Sequence, residues 1–137
     1  MFVLDTDTLT LLLLGHKRVS ESRARVTGEV ALTVVTQIEV LQGRFASLLT
    51  AEDGQHLLQA QQRLIESGRD LRKFVTLVVD AAASAEFDRL RQNRKLKIGR
   101  ADLPIAAITL ANRATLVTRN QRDFRKVPGL RIENWAD

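Results

Sequence analysis

Four carboxylates stand where their types and spacing allow a divalent cation and a polyanion to meet: Asp5, Glu39, Asp102 and Asp123. Asp5 closes the short apolar run Phe2-Val3-Leu4, and Glu39 lies within the apolar-rich stretch from Val34 to Gly43. Asp102 opens a segment that continues Leu103-Pro104, and Asp123 follows Leu116-Val117-Thr118 across a basic stretch. Brought together, such groups repel: two carboxylates ~4 Å apart at an effective dielectric of ~20 oppose each other by roughly 4 kcal/mol. A bound cation or protonation of some members relieves that cost. The chain as a whole carries a net charge of +5. Acids gathered inside a basic protein point to an oxygen-ligand metal site facing an anionic polymer.

Each acid also has an ordinary duty available. Asp5 can cap a helix beginning at Thr6, and Asp7 can favour the same helix through its dipole. Glu39 borders an apolar helical stripe at ~100° from Ile38 and can be a surface residue. Asp102 before Leu103-Pro104 is common chemistry for a helix start, with Pro tolerated in the first turn. Asp123 can be a loop residue beside Phe124. No single acid decides the matter; their joint order does.

Composition narrows the chemistry. The chain of 137 residues has no cysteine and two histidines, His16 and His56, in unrelated contexts. Disulfides, thiolate zinc sites, cysteine nucleophiles and histidine-pair acid–base catalysis are therefore excluded. Oxygen ligands remain, and they suit Mg²⁺ or Mn²⁺. The positive balance attracts nucleic acid through phosphate contact and counterion release. Five Phe, one Trp and no Tyr leave little for a broad base-stacking platform. The apolar run Leu9 to Leu14 falls far short of the ~20 residues that a bilayer requires, and no charged leader precedes it. We expect a cytoplasmic protein without a membrane segment, folded as a single domain over 1–137.

The elements that must position these residues follow from periodicity. Strands are expected at Phe2 to Asp5, Glu29 to Val34, Val75 to Val79 and Thr115 to Thr118, with a short one near Leu130 to Ile132. Helices are expected at Thr6 to Leu14 (read as buried), His16 to Thr27, Thr36 to Leu49, Asp53 to Arg72, Asp80 to Asn93 and Asp102 to Ala114. In the third of these, Val34, Ile38, Leu41, Phe45 and Leu48 recur at helical steps. In the fourth, Leu57, Leu58, Ala60, Leu64 and Ile65 form an apolar side. A close helix approach would account for Gly43. Alternating strands and helices argue for an α/β fold with a mainly parallel sheet covered on both faces. In such sheets ligands bind beyond the carboxyl ends of the strands, where strand order reverses.

Five motifs in order carry a resemblance along essentially the whole chain. They are Leu4-Asp5-Thr6, Ile38-Glu39-Val40-Leu41-Gln42-Gly43, Ile98 to Ala107 around Asp102, Leu116 to Phe124, and Val127 to Trp135. Together they resemble a PIN-domain ribonuclease and, more narrowly, the VapC-type toxins of toxin–antitoxin pairs. The resemblance implies a flavodoxin-like three-layer α/β/α fold and a Mg²⁺-dependent endoribonuclease, with Mn²⁺ able to substitute. It implies an RNA substrate such as tRNA, a homodimer, and a cognate antitoxin that covers the active groove, sometimes in a higher assembly. Asp5, Glu39 and Asp102 correspond to three core acids of that family, with Asp5 and Asp102 as metal ligands. The fourth acidic role falls to Asp123 or to Asn120, which fills a slot where many members carry Asp. Thr118 resembles a hydroxyl residue that orients a ligand water, and Asp7 stands where relatives often carry Asn. Lys95, Lys97, Arg100, Arg119, Arg122 and Arg125 flank two of the acidic motifs and are the expected phosphate contacts.

Two other classes share parts of this pattern. A receiver domain would use Val78-Val79-Asp80 as phospho-acceptor and Thr118 as switch hydroxyl, but it lacks the lysine expected after the last strand and leaves Glu39 and Asp102 idle. A metal-free binding module would keep the fold without the chemistry, and Asn120 is its best support.

Overall fold

Short apolar runs followed at once by a capping residue generate this fold. A computed structural model describes residues 1–137. In chain order the elements are β1 (Phe2–Leu4), α1 (Thr6–Leu13), α2 (Lys17–Arg25), β2 (Val30–Thr33), α3 (Val34–Leu49) and α4 (Gly54–Leu71). They continue with β3 (Val75–Leu77), α5 (Ala81–Gln92), α6 (Asp102–Ala111), β4 (Thr115–Val117), α7 (Gln121–Phe124) and β5 (Arg131–Glu133). Asp5 and Asp80 after their strands, and Thr33 as the last residue of β2, each stand in extended backbone before a helix and accept from Thr8, Ala83 and Thr36 N–H respectively. Such caps satisfy donors that a helix start otherwise leaves unpaired.

The five strands form one sheet in the order β3-β2-β1-β4-β5, and every pairing is parallel. Val3 pairs with Ala31 on one side and Leu116 on the other, so β1 is central. From β1 the chain builds outward through β2 and β3, then returns across the sheet to add β4 and β5. Strand order therefore reverses between β1 and β4, which opens a crevice at their carboxyl ends.

Strand alternation divides the interior in two. Val3 and Leu116 join Leu90, Ile105, Ala106, Ala107 and Phe124 beneath α5, α6 and α7. Leu4, Leu32 and Val117 join Leu9, Val19, Leu71 and Trp135 on the opposite face, beneath α1, α2 and α4. The result is the three-layer α/β/α arrangement expected from the sequence. Helix α6 is buried from Ile105 to Thr109, so its amino end is firmly placed.

Several expected details differ. The second strand ends at Thr33 and Val34 already belongs to α3; the third ends at Leu77, leaving Val78 and Val79 exposed. Helix α1 is not a buried helix: Leu9 is buried, while Leu13 and Leu14 are exposed. Ile38 and Phe45 on α3, and Leu57, Leu58 and Ile65 on α4, are about half exposed or more. The period correctly marked helices, but α3 and α4 pack on each other through other sides, as Ala60, Ser67 and Leu71 show. Gly43 meets open space, so no close helix approach explains it. The basic loop after β4 contains a short helix, α7.

Candidate active site

Because every helix that follows a strand starts at the carboxyl edge of the sheet, the residues at helix starts converge there. Asp5, Thr6, Asp7, Glu39, Asp102, Ile105 and Asn120 line one cavity of about 270 Å³. They come from the β1–α1 junction, the second turn of α3, the first turn of α6 and the turn after β4. Residues up to 115 positions apart in sequence thus meet at the strand-order reversal.

The two central aspartates differ in what they spend on the fold. Asp5 gives one oxygen, Oδ1, to the Thr8 N–H at 2.8 Å, capping α1. Its backbone N–H donates to Val117 O at 3.1 Å and ties the carboxylate to β4. Asp102 does not cap α6: the cap position is Ala101, in helical backbone and without a side-chain hydrogen bond. The Asp102 carboxyl is therefore left to the cavity. Burial, together with the charges of Asp123, Asp5 and Glu39, pushes its pKa above the ordinary aspartate value. Burial comes first among these causes, and the neighbouring carboxylates add to it.

Glu39 is anchored by a residue that sequence reasoning passed over. Thr6 Oγ1 donates to Glu39 Oε1 at 2.8 Å and lies 3.1 Å from Thr36 Oγ1. A hydroxyl directly after the strand-ending aspartate was the available signal for this bond. Thr36 is itself fully buried, so the Thr36–Thr6–Glu39 chain holds the glutamate from below.

The fourth position combines both candidates. Asn120 lines the cavity and Asp123 does not. Asn120 Nδ2 donates to Asp123 Oδ2 at 3.1 Å, and Lys126 Nζ lies 3.5 Å from Asp123 Oδ1. The Asn120 hydrogen bond, followed by Lys126 and Arg122, holds the half-buried Asp123 carboxyl below its ordinary value. Thr118 is fully buried outside the cavity lining, where its Oγ1 accepts from the Asn120 N–H at 2.9 Å. It positions Asn120 and does not itself face the cavity.

The basic residues expected to touch phosphate do not line this cavity. Lys95, Lys97 and Arg100 lie exposed on the segment leading into α6, while Arg119 approaches Asp137 at 3.7 Å and Arg125 bonds Gln121. Arg122 is within electrostatic reach of Asp123. Asp80, the phospho-acceptor of the receiver alternative, caps α5 and is absent from the cavity. No trio of acidic or imidazole groups is close enough to hold a metal ion among themselves. The donor set still fits a hard cation: Mg²⁺ keeps several waters and binds through one or two carboxylates, and here uncapped and half-capped carboxylates crowd one cavity.

An all-parallel α/β sheet with an acidic cavity at its strand-order reversal defines a class, and comparison with known proteins identifies it. The PIN domain family model matches residues 2–130, and the chain belongs to the PIN domain family. Ribonuclease VapC2 of Rickettsia felis is 40% identical over 63 residues, covering 42% of this chain and 47% of that protein. The match thus spans about half the length of that relative. Similar solved structures include VapBC2 from Rickettsia felis bound to a DNA fragment from their promoter (24% identical, 98% of each chain, TM-score 0.78). Another is VapBC-1 from nontypeable Haemophilus influenzae (19% identical, 99% of this chain and 98% of that one, TM-score 0.81). These two establish the likeness of fold over the whole chain.

Proposed function

We propose that this chain is a Mg²⁺-dependent endoribonuclease of the VapC type, the toxin of a toxin–antitoxin pair acting on tRNA or other structured RNA in the cytoplasm. The observation that carries the reading is the convergence of Asp5, Glu39 and Asp102 on one cavity, with the Asp102 carboxyl raised by burial and by its acidic neighbours. The partial match to Ribonuclease VapC2 and the toxin–antitoxin complexes among the similar structures support it.

Asp5 and Asp102 would hold the cation, each offering oxygen not used in capping. When bound, a divalent ion would supply a lowered pKa for water and positive charge against the phosphodiester. Glu39, with Oε1 pinned by Thr6, keeps its other oxygen to orient the attacking water and accept its proton. Asn120 contributes a neutral amide at the cavity wall and transmits the position of Asp123. Hydrolysis by water leaves a 5′-phosphate and a 3′-hydroxyl, and no histidine is needed.

Exposed apolar side chains supply surface for protein partners. Ile38, Phe45 and Leu49 share one side of α3, and Val78 and Val79 follow β3. A homodimer that also binds a cognate antitoxin would cover such surface.

Cleavage of total tRNA by the purified chain, free of antitoxin, tests the reading with Mg²⁺, with Mn²⁺ and with EDTA. Metal-dependent cleavage is expected, lost in Asp5→Asn and Asp102→Asn. RNA binding without cleavage under every condition would replace the enzyme with a metal-free binding module. In the same assay Asp123→Asn is expected to slow cleavage more than Asn120→Ala; the reverse order would give the fourth role to Asn120.

A further inference from the structure

A second cavity, of about 520 Å³, lies between the end of α5, the segment 93–100 and the start of α6. That volume falls in the range of about 300–1,000 Å³ usual for small-ligand sites. Its floor is apolar: Leu90 is buried, and Phe87, Leu96, Ile98 and Leu103 are half-buried around it. Its rim is cationic, with Arg91, Arg94 and Arg100 exposed and no acidic residue in the lining. The guanidinium of Arg91 lies over the Phe87 ring, 5.9 Å from its centroid. A planar cation thus covers one face of an aromatic ring within the cavity lining. Asn93 lines the same cavity; its side-chain oxygen accepts from the Lys95 N–H at 3.1 Å, which leaves its amide nitrogen as a donor without a protein partner.

This cavity adjoins the carboxylates. Gly99 belongs to its lining, and a Cβ at Gly99 would sit 3.4 Å from Asp102 Oδ2. A group seated in the cavity is therefore one residue's width from the reacting centre. Flat apolar surface beside guanidinium planes and a spare amide donor is the chemistry that receives an unstacked base, while the arginine charge meets the adjoining phosphates. A purely apolar protein partner would not call for three uncompensated arginines at the rim.

We propose that this cavity is a nucleobase subsite: it holds one unpaired base of the RNA, stacked on the Arg91 guanidinium that the Phe87 ring backs, so that a neighbouring phosphodiester reaches the Asp5–Asp102 centre. The proposal rests on the nuclease reading for its consequence, but base capture itself does not need cleavage. Phe87, Arg91 and Asn93 then select for single-stranded over paired nucleotides, and Arg94 and Arg100 hold the flanking phosphates.

Binding of a short labelled single-stranded RNA in EDTA tests this, using a series in which each nucleotide in turn is abasic, and the same sequence as a duplex. The native protein is expected to bind the intact strand more tightly than at least one abasic strand by about fivefold to a hundredfold, the range of base–aromatic stacking. Phe87→Leu, which keeps the apolar contact below, and the surface variant Arg91→Ala are each expected to erase that difference. Both should leave affinity for the abasic strand within about a factor of three, since phosphate contacts dominate it. Equal affinity of the native protein for intact and abasic strands would overturn the subsite. So would either variant changing the oligomeric state on a sizing column, because a second copy of the chain would then be the occupant. Failure of the nuclease reading has a different signature: no cleavage with any metal, while discrimination between the strands in EDTA persists.

Discussion

Asp102 spends no part of its carboxyl on capping, yet burial and three acidic neighbours raise its pKa. A carboxyl whose folded pKa lies above its unfolded value binds more protons in the folded state, so stability falls as pH rises through that window. The penalty is absent below the ordinary aspartate range of about 3.9 and complete once pH exceeds the raised folded value. Asp102→Asn is accordingly expected to raise the thermal midpoint of the metal-free protein at neutral pH, with the gain fading as the buffer approaches pH 4. Added Mg²⁺ should raise the midpoint of the native chain more than that of the variant. Thermal melts across pH, with and without EDTA, check both; a variant less stable than the native chain at pH 7 would mean that Asp102 is held by attraction and not by repulsion. Asp123 runs the opposite way: its lowered pKa gives stability that is present at neutral pH and lost on acidification through its folded value.

At the level of elements, one rule recurs. A strand ends, a polar residue in extended backbone caps the next helix, and the helix starts at the carboxyl edge. Asp80 follows the rule with no further task, since its Oδ1 accepts from the Ala83 N–H at 2.9 Å and it stays outside the acidic cavity. Asp80→Ala should therefore cost about 1 kcal/mol of stability, the usual value of a lost cap, and leave cleavage at its native rate. Denaturant unfolding beside the tRNA assay decides this; a large loss of activity with native stability would reopen a chemical role for Asp80. Helix α6 follows another helix and lies outside the rule: Ala101 supplies no side-chain cap, and the Asp102 carboxyl is left to the cavity.

Over the whole molecule, a net charge of +5 coexists with an acidic centre. On the proposed function, the exposed basic side chains Arg94, Lys95, Lys97 and Arg100 would hold RNA phosphates. Each phosphate neutralised on a single strand contributes about −0.7 to the slope of log affinity against log salt. Engagement of three or more of these residues is expected to give a slope of about −2 or steeper, measured in EDTA to suppress cleavage. A flat salt dependence would leave the basic face without a role in RNA binding. No helix is long and apolar enough to cross a membrane.

Local chemistry was legible from the chain alone: apolar triplets such as Phe2-Val3-Leu4, the caps Asp5 and Asp80, the helical periods, and the order of motifs that resembles the PIN family. These depend on neighbours in sequence, and such neighbours set backbone preference and capping directly. Only the tertiary structure decided which apolar stripes are covered, that Ile38, Phe45 and Leu14 are not, and that Gly43 faces open space. It also decided that Thr6 anchors Glu39, that Asn120 and not Asp123 reaches the cavity, and that Phe87 and Arg91 meet beside Gly99. Each of those outcomes depends on where a distant element packs, and strand order sets that placement through contacts that no local pattern encodes.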